Sequence, residues 1–268
     1  MTERDYVLGT HDDEIDRLGL QHRVWRPRVI DAWRRAGIGV GQTVIDVGAG
    51  PGHATADLAE LVGSSGRVIA LERSRHFLDF LAAEAERRGT ANIVVEECDV
   101  AECEFGDAIA DAAWCRWVLC FLAEPQRAVA NIARALKPGG FAVFHEYADY
   151  RTWQMMPPNA DLDRFRGFVV QSWNDAGGEP DVGLKLPGWA SAAGLEIVEM
   201  RLLIDVIDKT NAIWQWPASF MATNAERLRA LGYIDAADAG RFAATLDRAD
   251  DDARMITPLV VEIIARRI

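Results

Sequence analysis

From residue 43 onward, two hydrophobic patterns alternate along the chain. Short runs rich in β-branched residues, "TVIDVG", "RVIALE", "NIVVEECD" and "FAVFHEY", are separated by stretches whose apolar positions recur every three or four residues, "HATADLAELV", "RHFLDFLAAEAERRG" and "PQRAVANIARALKPGG". The first kind predicts buried strands. The second predicts helices, the first two ended by Gly63 and Gly89 and the last by a Pro-Gly-Gly turn. A further strand lies within "DAAWCRWVLCFL". Strands alternating with helices of about 10 to 15 residues predict a parallel sheet with helices on both faces. Residues 1–147 thus read as mostly one doubly wound α/β unit, preceded by helical stretches of which "PRVIDAWRRA" begins on Pro27 and stops at Gly37.

The pattern changes after residue 150. Residues 151–183 are rich in Trp, Met and Pro and interrupt the alternation where the next helix is due, which predicts an inserted lid. "LPGWASAAG" resumes as a short helix, "LEIVEMRLLIDVI" as one long strand, "NAIWQWPASFMATNAERLRALG" and "AADAGRFAATLDRADDDA" as helices, and "MITPLVVEIIARR" as a final strand. No repeat or low-complexity linker divides the chain. The expectation is one domain over 1–268, with N-terminal cap helices (1–36), a cofactor-binding core (37–150), the lid (151–183) and a C-terminal half of sheet with a helical cap (184–268).

Composition restricts the partners. Half of the 268 residues are hydrophobic, enough for a sizeable core. Lys+Arg 29 against Asp+Glu 41 gives a net charge of -12, which opposes binding to nucleic acid or to an anionic membrane surface. A small neutral or cationic partner is expected. The first residues lack the basic and apolar regions of a secretory signal, and no apolar run is long enough to span a bilayer, so a soluble cytoplasmic protein without membrane insertion is expected. Cys98, Cys103, Cys115 and Cys120 form no C-x-x-C pair and have no histidine cluster beside them, so they read as reduced, mostly buried thiols and no metal site is expected.

The segment "VIDVGAGPGH", residues 44–53, places Gly48, Gly50 and Gly52 at every second position with Pro51 between the last two. Glycine admits positive φ and close approach of another group, at a cost in conformational entropy. The spacing is G-x-G-x-G, whereas the dinucleotide fingerprint is G-x-G-x-x-G. A pyrophosphate favours bare amides at a helix N-terminus, but here Asp46 precedes the loop and its carboxylate suits an ammonium or sulfonium ligand. Glu72, ending the second strand, can accept hydrogen bonds from both ribose hydroxyls. Asp99 follows the third strand, where it can accept from an adenine amine while Val100 packs on the ring. Asp46 and the glycines also fit a phosphate loop, Glu72 a charge at a helix N-terminus and Asp99 a turn cap.

With these residues in order, the sequence resembles the class I S-adenosylmethionine-dependent methyltransferases, specifically the small-molecule group related to the ubiquinone and menaquinone biosynthesis methyltransferases. The resemblance rests on "VIDVGAGPGH", the Glu72 strand end, "CDVAE", "DAAWCRWVLCFLAEPQRAVANIARALKPGGFAVFHEY" and "PLVVEIIARR", and extends over about residues 5–268. It implies a Rossmann-like seven-stranded, mostly parallel sheet with the last strand antiparallel, and S-adenosyl-L-methionine lying across the first two strand ends. Carried over by position, Gly48, Gly50 and Gly52 would line the methionine part, with Asp46 near its amino group. Glu72 would hold the ribose, Asp99 and Val100 the adenine, Arg116 would lie near the methionyl group, and Tyr6 would close over the cofactor.

Methyl transfer from a sulfonium is an in-line displacement that needs alignment and exclusion of water, without metal or covalent nucleophile. A base helps only a poorly ionised hydroxyl or a carbon acid. The candidates are at the end of "FHEY": Glu146 and Tyr147 as substrate-facing residues, with His145 the alternative base or a packed strand residue. Aromatic and methionine residues of the lid and the following helix, Trp153, Trp173, Trp216 and Phe220 among them, suggest a pocket for a planar or lipophilic acceptor, as well as ordinary packing. The same fold also serves cofactor-binding proteins that transfer no methyl, such as cyclases and regulators, and a nicotinamide oxidoreductase is a third reading. The long N-terminal helix and apolar lid are compatible with a homodimer.

Overall fold

The computed structural model describes residues 8–268; Tyr6 lies outside the described residues. A seven-stranded sheet runs through the molecule. In chain order the elements are α1 (Asp12–Arg35), β1 (Thr43–Val47), α2 (His53–Val62), β2 (Arg67–Glu72), α3 (Arg75–Arg88), β3 (Ile93–Glu97), β4 (Ala110–Arg116), α4 (Pro125–Ala135) and β5 (Leu136–Asp149). There follow β6 (Gln154–Met156), α5 (Ala160–Asp175), α6 (Leu186–Ala192), β7 (Leu195–Leu203), β8 (Val206–Ile207), α7 (Gln215–Ala230), α8 (Ala236–Ala243), β9 (Arg254–Ile256) and β10 (Leu259–Arg267).

The sheet order is β3-β2-β1-β4-β5-β10-β7. β10 pairs antiparallel with both β5 and β7, whereas β3, β2, β1, β4 and β5 are parallel. The sheet is thus seven-stranded and mostly parallel with its last strand reversed, as expected. Its order reverses between β1 and β4, so the loops after β1 and β4 diverge and leave a crevice at the strands' carboxyl ends. Central strands covered on both faces must be apolar throughout: Val44, Ile45, Ala112, Ala113, Trp114 and Cys115 are all buried.

Three elements depart from the sequence reading. α1 is one continuous helix with Pro27 inside it, where the chain was expected to restart on that proline. Trp25, Val29, Ala32 and Trp33 are buried on either side of the proline, and their packing carries the helix through it. "LEIVEMRLLIDVI" and "MITPLVVEIIARR" each divide into two strands belonging to different sheets. β6, β9 and β8 form a separate three-stranded antiparallel sheet, with Met155 and Ile207 both opposite Met255. At the crossing, the Asp205 N–H donates to Thr257 Oγ1 at 3.0 Å, and Pro258 has no N–H to continue a ladder. Finally, Cys98 and Cys103 are joined by a disulfide, while Cys115 and Cys120 are free and buried. The turn after β3, in which the Cys103 N–H donates to the Asp99 carbonyl at 2.8 Å, brings the two sulfurs together.

Candidate functional site

The crevice opens into one cavity of about 1210 Å³, its open mouth included. The sheet ends supply its floor: Asp46, Gly48 and Gly50 after β1, Glu72 at the end of β2, Asp99 and Val100 after β3, Arg116 and Trp117 after β4, and Tyr147 from β5. Trp173 of α5 and Phe220 of α7 stand on the far wall. Ten of the residues singled out from sequence are therefore brought together.

The three glycines are held differently. All have positive φ, 66° at Gly48, 56° at Gly50 and 86° at Gly52. A Cβ on Gly48 would come within 2.4 Å of Val118 Cγ2, and one on Gly52 within 2.4 Å of Leu81 Cγ, so these two let protein pack against protein. A Cβ on Gly50 would meet nothing within 4 Å and would project into open space beside the cavity floor. Only Gly50 keeps space clear for a ligand. Gly52 is the left-handed residue that starts α2 and does not line the cavity.

Asp46 is buried and accepts from Thr55 Oγ1 at 2.7 Å; burial pushes its carboxyl up to about 6, against the Thr55 bond and the charge of Arg116. Glu72 accepts at Oε2 from the Gly50 N–H at 2.9 Å, and at Oε1 from the Arg73 and Ser74 N–H groups, both at 2.9 Å. Its carboxyl is raised by burial and held down in part by these three donors. A carboxylate has about four acceptor sites, so Glu72 both fastens the glycine loop and keeps acceptor capacity. Asp99 accepts the Ala101 N–H at Oδ1, 3.1 Å, the turn-capping contact, while its Oδ2 lies 3.9 Å from Arg73 Nη1.

Arg116 is one of three arginines on the lining, with Arg17 and Arg73. Its guanidinium lies over the rings of Trp114 and Trp117, Nη2 is 3.2 Å from His22 Nδ1, and burial pulls it down to about 10. Its Nη1 is buried without a hydrogen-bond partner. Such a group in a cavity wall is costly unless a ligand satisfies it.

Other expected residues lie elsewhere. Strand alternation holds at the end of β5 and decides their places. His145 is fully buried, edge-on to Trp114, with Nε2 2.9 Å from Glu262 Oε2; burial lowers its imidazole. Glu146 is also fully buried, and its Oε1 accepts the Val118 and Leu119 N–H groups, both at 2.9 Å. Burial pushes this carboxyl up to about 7. Neither residue lines the cavity, and Glu146 instead ties down the loop that carries Trp117. Trp153 is buried against Phe165 and Phe220 and donates to Met255 Sδ at 3.1 Å. Trp216 lies behind the wall, stacked on Trp117 at 5.3 Å.

Several lining residues were not read from sequence. The first turns of α1 contribute Arg17, Leu18 and Gln21, and Trp117 and Phe121 come from the loop after β4. Arg17 is paired with Glu14 at 2.7 and 2.6 Å and donates to Gln21 at 3.0 Å, all three being buried. Trp117 has a φ of 51°, rare for a bulky side chain. Its ring overlies both Tyr147, 5.4 Å away, and Trp216. Two signals were available: the unusual tryptophan next to Arg116, and the Glu-x-x-Arg spacing at positions 14 and 17, which places both side chains on one helix face.

Residues 45–144 match the family model of a methyltransferase domain. Over 128 residues the chain is 31% identical to the ubiquinone/menaquinone biosynthesis C-methyltransferase of Cellvibrio japonicus, covering 47% of this chain and 50% of that protein. Over 205 residues it is 29% identical to an uncharacterised 37.1 kDa transposon protein of Streptomyces fradiae, covering 75% and 56%. The chain thus spans about half the length of the curated relatives it matches. Among solved structures, the geranyl diphosphate C-methyltransferase of Streptomyces coelicolor superposes with a TM-score of 0.56 at 16% identity, covering 92% of this chain and 80% of that one. A cyclase of the 4+2 type superposes at 0.57 with 21% identity, covering 90% and 80%. At these identities the superpositions establish the fold.

Proposed function

We propose that the chain carries a class I S-adenosylmethionine-dependent methyltransferase domain, as the methyltransferase-domain match and the C-methyltransferase relatives support, and that the protein uses it to methylate a small aromatic or lipophilic acceptor. One observation carries this reading. The acid-bearing strand ends and an aromatic wall of Trp117, Phe121, Tyr147, Trp173 and Phe220 line one continuous cavity.

The residues present fit the cofactor. The space beside Gly50 admits a ligand against the backbone, and the guanidinium of Arg116, a lining residue, suits the α-carboxylate of a methionyl group. Glu72 would hold the ribose hydroxyls and Asp99 and Val100 the adenine, with Asp46 near the ammonium. S-adenosylmethionine, when bound, supplies a methyl group on a positively charged sulfur. The protein's part is alignment and exclusion of water. Trp117 and Tyr147, stacked on one another, give an apolar stretch of wall for a planar acceptor, and α1 adds Leu18 and Gln21 to the lining.

A second reading is binding without methyl transfer, and it is favoured by the positions of His145 and Glu146, which face the protein interior. Titration calorimetry with S-adenosylmethionine, S-adenosylhomocysteine and NAD in parallel tests the cofactor; binding of NAD alone would overturn the proposal. A screen of aromatic and lipophilic acceptors with isotopically labelled methyl donor then separates the readings. Cofactor binding with no labelled product across the screen favours the second.

A further inference from the structure

β7 is the last strand of the seven-stranded sheet and, among the described residues, pairs on one side only, with β10. Along it the sequence reads Ile197-Val198-Glu199-Met200-Arg201-Leu202-Leu203. Val198, Met200 and Leu202 are 55%, 48% and 65% exposed, and Ile204 and Val206 extend the apolar stripe past the strand's end. Met200 and Leu202 stand opposite Ile263 and Val261 of β10, both buried, so they continue the apolar face of the sheet out to its edge. Glu199 and Arg201 point to the other face, where they pair with each other within the chain at 2.5 Å, Glu199 also accepts from Arg35 at 2.6 Å and Arg201 lies 3.6 Å from Asp31 of α1; edge pairing would exchange the first of these pairs for its equivalents between copies. A free edge with exposed apolar side chains is a template for another strand, and proteins ordinarily blunt such edges.

We propose that β7 pairs antiparallel with β7 of a second copy of this chain about a two-fold axis through Met200, joining the two sheets edge to edge.

The occupant is identified by charge complementarity. A two-fold axis normal to a continuous sheet keeps each face with itself, so it must pass through one residue of the strand. Centred on Met200, it sets Val198 against Leu202 on one face, and Glu199 of each copy against Arg201 of the other on the opposite face. Centred on Glu199 or Arg201, it would set like charges directly opposite, which destabilises a strand pair. Of these three registers, the one centred on Met200 is self-complementary. The contact is isologous and closes at two copies. At Val198, which the ladder skips between Ile264–Glu199 and Ala265–Ile197, a bulge in β7 ends the regular stretch and confines the pairing to the residues that follow it.

Sedimentation velocity and light scattering on the purified chain over a range of micromolar concentrations test this. The expected result is a reversible dimer. Met200→Glu places two carboxylates together on the axis and should weaken the dimer at least tenfold, with the melting temperature of the dilute protein unchanged. Met200→Cys should cross-link to a covalent dimer under mild oxidation with diamide, whereas Val40→Cys, on a loop and more exposed than Met200, should not. A monomer at every concentration would overturn the proposal. So would a dimer that survives Met200→Glu while Met200→Cys fails to cross-link, or growth past two copies.

Discussion

Arg116 and His22 fix one another's chemistry. An arginine only donates, so the 3.2 Å contact from its Nη2 makes His22 Nδ1 an acceptor, and His22 must carry its proton on Nε2, 3.0 Å from Asp57 Oδ2. Burial lowers the imidazole to about 4, so His22 stays neutral at physiological pH. The tautomer is thus set by a carboxylate of α2, and through it the guanidinium at the end of β4 is held in the cavity wall.

If Arg116 receives the cofactor's carboxylate, Arg116→Leu should weaken S-adenosylmethionine by about 1.5–3 kcal/mol, roughly 10- to 100-fold. Binding of 5′-methylthioadenosine, which lacks the amino acid part, should be nearly unchanged. Glu72→Ala should weaken both ligands. Calorimetry with the two compounds checks the division, and equal losses for both with Arg116→Leu would contradict the assignment.

The glycine loop predicts a split between stability and binding. Gly50→Val should reduce cofactor affinity strongly and lower the melting temperature only by the backbone strain of a β-branched residue at φ 56°, because its side chain enters space that nothing in the protein occupies. Gly48→Val and Gly52→Val should instead lower the melting temperature first, through clashes with Val118 and Leu81. Thermal melts paired with cofactor titrations distinguish the two outcomes.

Glu146 predicts a slope of stability with pH. Its carboxyl titrates near 7 in the folded chain and near 4.5 when unfolded, so between these values the folded state binds the extra proton. Stability from this group is therefore fully present below the unfolded value and is lost as pH rises toward 7. Asp46 contributes in the same direction. Glu146→Gln should flatten the fall in melting temperature between pH 5 and 8 relative to the wild type, and an unchanged slope would place the ionisation elsewhere.

Pro27 interrupts the backbone ladder of α1, leaving the Arg23 carbonyl without its helical donor, and its ring is exposed and packs on no core residue. Pro27→Ala should raise stability by about 1–3 kcal/mol. Denaturant unfolding measures this directly.

What could be read from sequence followed locality. α2 and β2 fall on the residues the pattern gave, because β-branched runs, helical spacing and glycine stops act over a few positions. Parallel topology then brought the acid-bearing strand ends together without further information. The divisions between β7 and β8 and between β9 and β10 were hidden, since both apolar runs are continuous and only the meeting of Asp205 with Thr257 reveals the crossing. The same holds for the site. Asp46, Glu72 and Arg116 were visible as strand ends, whereas Arg17 and Gln21 reach the cavity only because α1 packs across it. Glu146 sat at the expected position but faces the opposite side of the sheet, and Trp153 belongs to a core with Phe165 of α5 and Phe220 of α7.

α1 is clamped at its far end, where Arg28 pairs with Asp205, Arg35 bridges Glu199 and Glu262, and Trp33 packs edge-on to Trp114. Its near end forms part of the cavity wall. A ligand that touches both sheet and helix therefore adds its binding free energy to the docking of the helix's first turns. Amide hydrogens of residues 13–22 would then report occupancy: their exchange slows in proportion to the ligand bound, while those near Arg35 keep their rate. In this protein, helix order and ligand affinity are two readings of one equilibrium.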